Sequence, residues 1–317
     1  MLTGHLLGTA IIHTVIAGLT STDSGIITVT GGAVDHLLIN TQPASTLSVD
    51  SLFNTAAVVT AFDVGNNPVS GVSIVADRDP ATGTGVLRGT LSVTTNGSGQ
   101  ATFSNLGYNK TDAFKVRFTS NTKAIISTQI GPLAVDAVAT ITINTAPVVG
   151  ASVDANLTTQ PVILVVDQFS NPVSGVTVTA SRGTGTGTLR GTLTATSSST
   201  GLATFTNLGY NKSGETFTIH FAAGTPTIDS SSLGPLAAGV AAKVNIETSA
   251  NGSGTVVPAQ TLATGSSLTV YSVTRDQYSN FIGNATADSW TLTGITGGVV
   301  SGDLVGSGTS TLSTLIL

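Results

Sequence analysis

Between residues 136 and 238 the apolar positions fall into seven short runs: TITIN (140–144), VILVVD (162–167), VTVTA (176–180), LRGTLTA (189–195), LATFTN (202–207), TFTIHF (216–221) and TIDSSSL (227–233). Apolar and polar residues alternate within most of them, and this period-two pattern sends one strand face inward and the other to solvent. Gly, Asn, Pro and Ser gather between the runs, where they supply turns. The phase predicts Val162, Leu164, Val166, Val176, Leu189, Phe205 and Phe217 inside, and their counterparts one repeat earlier likewise. Seven short strands in roughly 100 residues is the pattern of a β-sandwich.

The same pattern occurs more than once. AFDVGNNPVSGVSIVA (61–76) returns as VVDQFSNPVSGVTVTA (165–180), and VLRGTLSVTTNGSGQATFSNLGYNK (86–110) returns as TLRGTLTATSSSTGLATFTNLGYNK (188–212). GPLA at 131–134 recurs at 234–237, and a looser VTRDQYSNFIG stands at 273–283, with Phe281 and Ile282 in place of Pro-Val. A period of this length marks a tandem array of domains. The expected division is residues 1–32 as the last strands of a split sandwich, 33–135 and 136–238 as complete sandwiches, and 239–317 as the front of another split one. The junctions GPLAVDAVATI and GPLAAGVAAKV are short and apolar, with no flexible spacer, which predicts neighbouring sandwiches stacked as a rod.

The phrase D-x-x-x-N-P-V-S-G-V-x-V, followed by G-T-L and then G-x-A-T-F, resembles bacterial immunoglobulin-like repeats of the invasin and intimin group and of giant bacterial surface proteins. The resemblance covers both full repeats. It implies all-β, immunoglobulin-like sandwiches in tandem that hold something away from a cell. It carries over no binding residues, because the adhesive tip of such proteins is a different, lectin-like domain that is not found in this sequence.

Composition narrows the function. Charged residues are 9% of the 317, the net charge is −5 and no basic patch exists. Nucleic acid needs clustered Lys and Arg, so it is excluded as a partner. There is no cysteine, hence no disulfide framework or thiolate metal site. Mean hydropathy is +0.36, yet no apolar run approaches the ~20 residues of a spanning helix, and membrane insertion is not expected. The opening MLTGHLLGTAIIHTVIAGLTST carries no Lys or Arg, so it lacks the basic start of a secretion signal and is read as strand.

Candidate chemistry is sparse. Four histidines, His5, His13, His36 and His220, show no metal or protease spacing. GTGTG at 183–187 looks like a phosphate loop but lacks the GK[ST] ending and the following helix, so it is read as a flexible connection. No nucleophile–base pair or pair of acids argues for an enzyme. Calcium is the one cofactor considered, with Asp77 and Asp79 as candidate ligands; ASRGT replaces ADRDP in the next repeat, so such a site is not part of the repeated design. The repeated Asp63, Asp167 and Asp276 are read as caps on their own turns. Arg88 and Arg190, in the shared LRGTL, are either a repeated recognition feature suited to a polymeric glycan or side chains covering apolar surface. Tyr108 and Tyr210 in NLGYN fit a tyrosine corner, and the single Trp290 fits the core.

The expected role is a structural module of an extracellular or cell-surface fibre; the alternative is an adhesin segment that binds a glycan or a receptor. LLGTAIIHTVIAGLTSTDSGIITVTGG (6–32) aligns with the last strands of the second repeat, GETFTIHFAAGTPTIDSSSLGPLAAG (214–239). Two readings remain open: the chain is a slice of a longer protein, or residues 1–31 of one copy complete the sandwich begun by 239–317 of another by strand addition. On the second reading the partner is the chain itself, head to tail. The contact residues are then Leu6, Ile11, Ile12, Val15, Ile26, Ile27 and Val29 at one end and Leu312, Leu315 and Leu317 at the other.

Overall fold

The structure, a computed structural model, describes residues 8–305 and 311–316; Leu6 and Leu317 lie outside the described residues, as does His5. By internal contacts the chain forms two compact units, Met1–Ala139 with Val166–Val173, and Thr140–Val165 with Ser174–Leu317.

The first unit opens with a hairpin, β1 (Gly8–Ala10) against β2 (Ile27–Val29). There follow β3 (His36–Thr41), β4 (Ala57–Phe62), β5 (Ser73–Arg78), β6 (Leu87–Arg88), β7 (Ser92–Thr94), β8 (Gln100–Phe103), β9 (Gly107–Tyr108), β10 (Val116–Ser120) and β11 (Lys123–Ile126). One sheet runs β3-β4-β8, the other β11-β10-β5-β7, and β6 pairs with β9 across a corner. With β3, β4 and β8 as A, B and E, and β5, β7, β10 and β11 as C, C′, F and G, these are the two sheets of an immunoglobulin-like sandwich.

The second unit repeats this order. β12 (Thr140–Thr145), β13 (Val162–Val166) and β17 (Leu202–Thr204) form the first sheet; β16 (Thr194–Thr196), β14 (Thr177–Thr184), β19 (Thr218–Ala222) and β20 (Thr227–Asp229) form the second. β15 (Leu189–Arg190) pairs with β18 (Gly209–Tyr210). β21 (Ala241–Glu247), β22 (Ser267–Asp276), β23 (Phe281–Asn284), β24 (Leu304–Val305) and β25 (Leu312–Ile316) then build one sheet, ordered β21-β22-β25-β24 with β23 also on β22. Among the described residues no helix is long and apolar enough to cross a membrane.

The expected inner face needs one correction. Ile163 and Val165 are fully buried, while Val162, Leu164, Val166 and Val176 are only half-buried. VILVV is apolar at every position, so alternation does not set its phase, and a one-residue slip exchanges the two faces. The phase follows Asp167, which is buried two residues beyond Val165. Val178 and Ala180 take the core positions of β14, and Leu189, Phe205 and Phe217 are buried as expected. Aromatic pairs recur at equivalent places: Phe103 with Phe118 (centroids 5.1 Å) and Phe205 with Phe221 (5.5 Å).

The Gly-rich loops are pinned rather than free. Tyr108 stacks on Phe114, and its hydroxyl accepts the Gly85 N–H (2.7 Å) and donates to Asp112 (2.8 Å). Tyr210 stacks on Phe217, accepts the Gly187 N–H (2.7 Å) and donates to Glu215 (2.5 Å). Glu215 also receives the Thr186 N–H and hydroxyl. The loop therefore passes over the phenol ring, leaving no room for a side chain: a Cβ at Gly187 would lie 2.4 Å from the Lys212 Cβ and 2.7 Å from the Tyr210 ring. Gly187→Ala should cost about 1–3 kcal/mol by overpacking. Gly97→Ala, at a site with open space around it, should be close to neutral; urea titration of both variants checks this.

The corner also sets a pH dependence. Burial works to raise the Glu215 carboxyl, but hydrogen bonds from Tyr210, Thr186 and Gly187 outweigh it and hold it at about 2, below the ordinary 4.5. Burial, and then donation to Glu215, pushes the Tyr210 phenol from 10.0 to about 12. The Glu215 contribution is present in full above about pH 4.5 and is lost as the pH falls towards 2; that of Tyr210 is present below about pH 10 and is lost on rising towards 12. Tyr210→Phe should lower stability by about 1–2 kcal/mol at neutral pH. It should also flatten the fall in Tm between pH 10 and 12, as thermal unfolding across that range would show.

Candidate functional site

Strand B of each repeat ends in an aspartate that gathers backbone N–H groups: DVGNN (63–67), DQFSN (167–171) and DQYSN (276–280). Asp63 Oδ1 accepts from Gly65 N (2.9 Å) and Asn67 N (2.8 Å), Asp167 Oδ1 from Phe169 N (2.8 Å) and Asn171 N (2.9 Å), and Asp276 Oδ1 from Tyr278 N (2.9 Å) and Asn280 N (2.8 Å). The second oxygen reaches back to the chain entering the same repeat, at Gly32 N (3.0 Å), Asp136 N (3.4 Å) and Gly239 N (2.9 Å). The residue before each Asn sits at positive φ: Asn66 at 62°, Ser170 at 61° and Ser279 at 70°. A carboxylate surrounded by donors prefers its charged form. Asp63, held first by Gly32 N–H and then by Asn67 N–H, is lowered to about 2. Asp276 is also lowered: burial opposes this, and the N–H groups of Gly239, Asn280 and Tyr278 with the Asn280 side chain prevail.

So fixed, two of the turns present the same group of contacts. In the first unit the Arg88 guanidinium lies 4.5 Å from the centroid of the Phe169 ring while its Nη2 donates to Val49 O (2.7 Å). Asn171 Nδ2 donates to Asn109 O (3.1 Å), and Lys110 Nζ to Phe169 O (3.3 Å). In the second unit Arg190 lies 5.3 Å from the Tyr278 centroid and donates to Val153 O (2.6 Å) and Ala155 O (3.0 Å). Asn280 Nδ2 donates to Asn211 O (2.9 Å), and its Oδ1 accepts Ser213 N (3.1 Å). Asp154 adds Val240 N (2.6 Å) and Gln277 Nε2 (2.9 Å).

Each clasp thus joins the LRGTL and NLGYNK segments of one repeat to the Asp turn of the following one. Arg88 and Arg190, repeated as the sequence showed, each give Nη2 to backbone carbonyls and lay a planar face towards an aromatic ring, while the Nε of each is buried without a hydrogen-bond partner. The aromatic partner escaped sequence reading, although DQFSN and DQYSN both carry a ring at the third position. Gly65 stands there in the first turn.

The candidate calcium ligands are occupied otherwise. Asp77 faces Arg117 (3.5 Å), and Asp79 is buried with Oδ1 near Ala81 N (3.4 Å). Among the described residues no group of three or more His, Asp or Glu side chains is placed to hold a metal ion. His36 stacks on Phe62 (5.3 Å), and Trp290 is buried. In the third repeat Glu247, buried, holds Arg275 through two hydrogen bonds of 2.5 and 2.7 Å.

The opening hairpin carries a signature of the F and G strands. Val116 N donates to Ser127 Oγ (2.9 Å) while Ser127 N donates to Val116 O (2.8 Å), and Ile219 and Ser230 do the same (2.9 and 2.8 Å). Ile12 and Ser24 repeat this pair (2.8 and 2.9 Å). Ala10 opposes Ile27 as Phe114 opposes Ile130 and Phe217 opposes Leu233. His13 pairs with Asp23 as His220 pairs with Asp229 (2.6 Å), although His13 lies beyond β1 rather than within a strand. Of the expected self-association residues, Ile11, Ile12, Val15, Ile26 and Leu312 are exposed, and Ile27, Val29 and Leu315 are half-buried. Ile16 and Leu19, which sequence reading passed over, are exposed too.

The second clasp is open to a direct test. Arg190→Ala and Tyr278→Ala should each destabilise the chain, and the double variant should lose less than their sum. The coupling expected for a cation over a partly exposed ring is about 0.5–1 kcal/mol; a double-mutant cycle in chemical denaturation measures it.

No protein-family model matches the sequence, and no curated protein does. Solved structures similar to it include FdeC, an Escherichia coli adhesin (19% identity over 91% of this chain and 91% of that one, TM-score 0.29). Invasin, a bacterial integrin-binding protein, is similar at 13% identity over 88% of this chain and 54% of its own (TM-score 0.33). The D0-D1 domain of intimin is similar at 17% identity over 63% of this chain and 97% of that one (TM-score 0.24). The fold assignment stands on the strand order itself: A-B-E against G-F-C-C′, twice over, makes both complete repeats immunoglobulin-like sandwiches.

Proposed function

We propose that the chain is a structural module of an extracellular or cell-surface fibre, a spacer whose repeats are held to one another by the Asp-turn clasps. The observation that carries this reading is the recurrence of one clasp, Arg88 with Phe169 and Arg190 with Tyr278, built from the same sequence segments each time. A chain selected to bind a ligand diversifies its exposed loops; here the repeated loops close on their own protein. The apolar entries to each repeat and the low charge content fit a spacer equally well. The polar outer faces of the strands, rich in Ser and Thr, suit an aqueous setting outside the cell.

Single-molecule stretching tests the proposal. The two complete sandwiches should unfold in separate force peaks, each releasing a contour length of about 33–36 nm for roughly 100 residues. Tyr278→Ala should lower the force at which the clasped boundary opens. Unfolding without discrete peaks, together with strong binding on a glycan array, would overturn the spacer reading in favour of an adhesin segment.

A further inference from the structure

The residues Asn-Gly-Ser-Gly occur twice, at 96–99 and 251–254, and the fold treats them differently. At the first, the turn from β7 to β8 repeats the geometry of the aspartate turns with an amide in place of the carboxylate. Asn96 Oδ1 accepts Ser98 N (2.9 Å) and Gln100 N (3.0 Å), two and four residues on, as Asp63 Oδ1 does from Gly65 and Asn67. Asn96 O accepts Gly99 N (2.9 Å), Asn96 N donates to Gln100 O (2.9 Å), and Gly99 sits at φ 72° where Asn66 has 62°. Gly97 is exposed, and a Cβ there would meet nothing within 4 Å. At the second, Asn251 Oδ1 accepts Ser253 N (3.1 Å) and the hydroxyls of Ser249 (2.7 Å) and Ser253 (2.5 Å). Gly252, however, lies against Phe281, whose ring would come within 2.5 Å of a Cβ.

We propose that the Asn96–Gly97 step converts itself to aspartate, and that the N–H groups of its own turn promote and direct the reaction. Solvent base takes the Gly97 N–H proton, the nitrogen adds to Asn96 Cγ, and the Cγ–Nδ2 bond breaks with loss of ammonia, leaving a cyclic succinimide. Water then adds at Cγ and the Cγ–N bond opens, which restores the Gly97 N–H and leaves a carboxylate on the side chain. Nothing is oxidised or reduced. Glycine puts no Cβ in the way of the attacking nitrogen, and donors fixed on Oδ1 stabilise the oxyanion formed at each addition. Water adding instead at the main-chain carbonyl would give isoaspartate, with the chain rerouted through the side chain. Oδ1 holds two N–H groups and Asn96 O one, so addition at Cγ is favoured. The product carries the charge of the aspartate turns, and a charged acceptor binds the same two N–H groups more strongly. At Asn251 the nitrogen of Gly252 does not swing onto Cγ without displacing the Phe281 ring.

The test incubates the full chain in mildly alkaline buffer, once folded and once in urea, and maps its peptides by mass spectrometry. In the folded chain amide should turn to acid at Asn96 about tenfold faster than at Asn251, whereas in urea the two steps, alike in local sequence, should react alike. Gly97→Ala, in its open space, should suppress the conversion. The share of normal aspartate over isoaspartate at position 96 should be higher from the folded chain than from the unfolded one. Asn96→Asp, which imitates the product, should unfold at a higher urea concentration than the unconverted chain. Equal rates at the two steps of the folded chain overturn the proposal, as does the same isoaspartate share in both states, or no conversion at all. The clasp forces measured by stretching are independent of this outcome, so the spacer reading stands or falls separately.

Discussion

An aspartate that cannot find enough water must find backbone, and that constraint organises this protein. Asp63, Asp167 and Asp276 are each buried at the end of strand B, where a bare carboxylate would be costly. Each is satisfied by the N–H groups of its own turn and by one N–H of the chain entering the repeat. That arrangement fixes the start of the repeat to the end of its second strand. It also sets the aromatic residue and the Asn at a defined angle, from which they reach Arg88 and Asn109, or Arg190 and Asn211. Without the carboxylate the turn loses its shape, and the clasp loses both its ring and its amide.

The tyrosine corner acts on the other side of the same contact. Tyr108 and Tyr210 hold the Gly-rich loop against the sandwich. The adjacent Asn109 and Asn211 each present a carbonyl to the next turn and use their own side chain on the loop, at Val86 N (2.6 Å) and Thr188 N (2.5 Å). One four-residue step, Gly-Tyr-Asn-Lys, therefore serves the core, the loop and the boundary at once. This explains why NLGYNK is kept whole between repeats while the exposed strand positions beside it drift among Ser, Thr and Ala.

What was legible in the sequence was whatever local chemistry decides. The strands of the two complete repeats, the capping aspartates and the corner tyrosines follow from short-range pattern, and the structure has each of them; the opening stretch, read as strand, is strand only at Gly8–Ala10 among its described residues. The phase of VILVV was not legible, because five apolar residues in a row give no alternation to read; the buried Asp167 next to it was the available signal. The short ladders β6–β9 and β15–β18 were missed because two-residue strands leave no period. The rings of Phe169 and Tyr278 were passed over for a different reason: their partners, Arg88 and Arg190, lie about eighty to ninety residues earlier in the chain, and only tertiary structure brings them together. The Gly-rich loop was misread as loose because its glycines answer to a phenol ring rather than to a turn.

Gly65 gives the clasps an asymmetry. A sandwich set before the Asp63 turn would meet the same carboxylate and the same Asn, but its arginine would have no ring to lie against. The grip there would depend on hydrogen bonds that water can replace one at a time. At Phe169 and Tyr278 the guanidinium is instead sheltered by an aromatic face that water does not mimic. Under tension, then, a joint made at a turn like that of Asp63 would let go before one made at Phe169 or Tyr278 and would close again more easily.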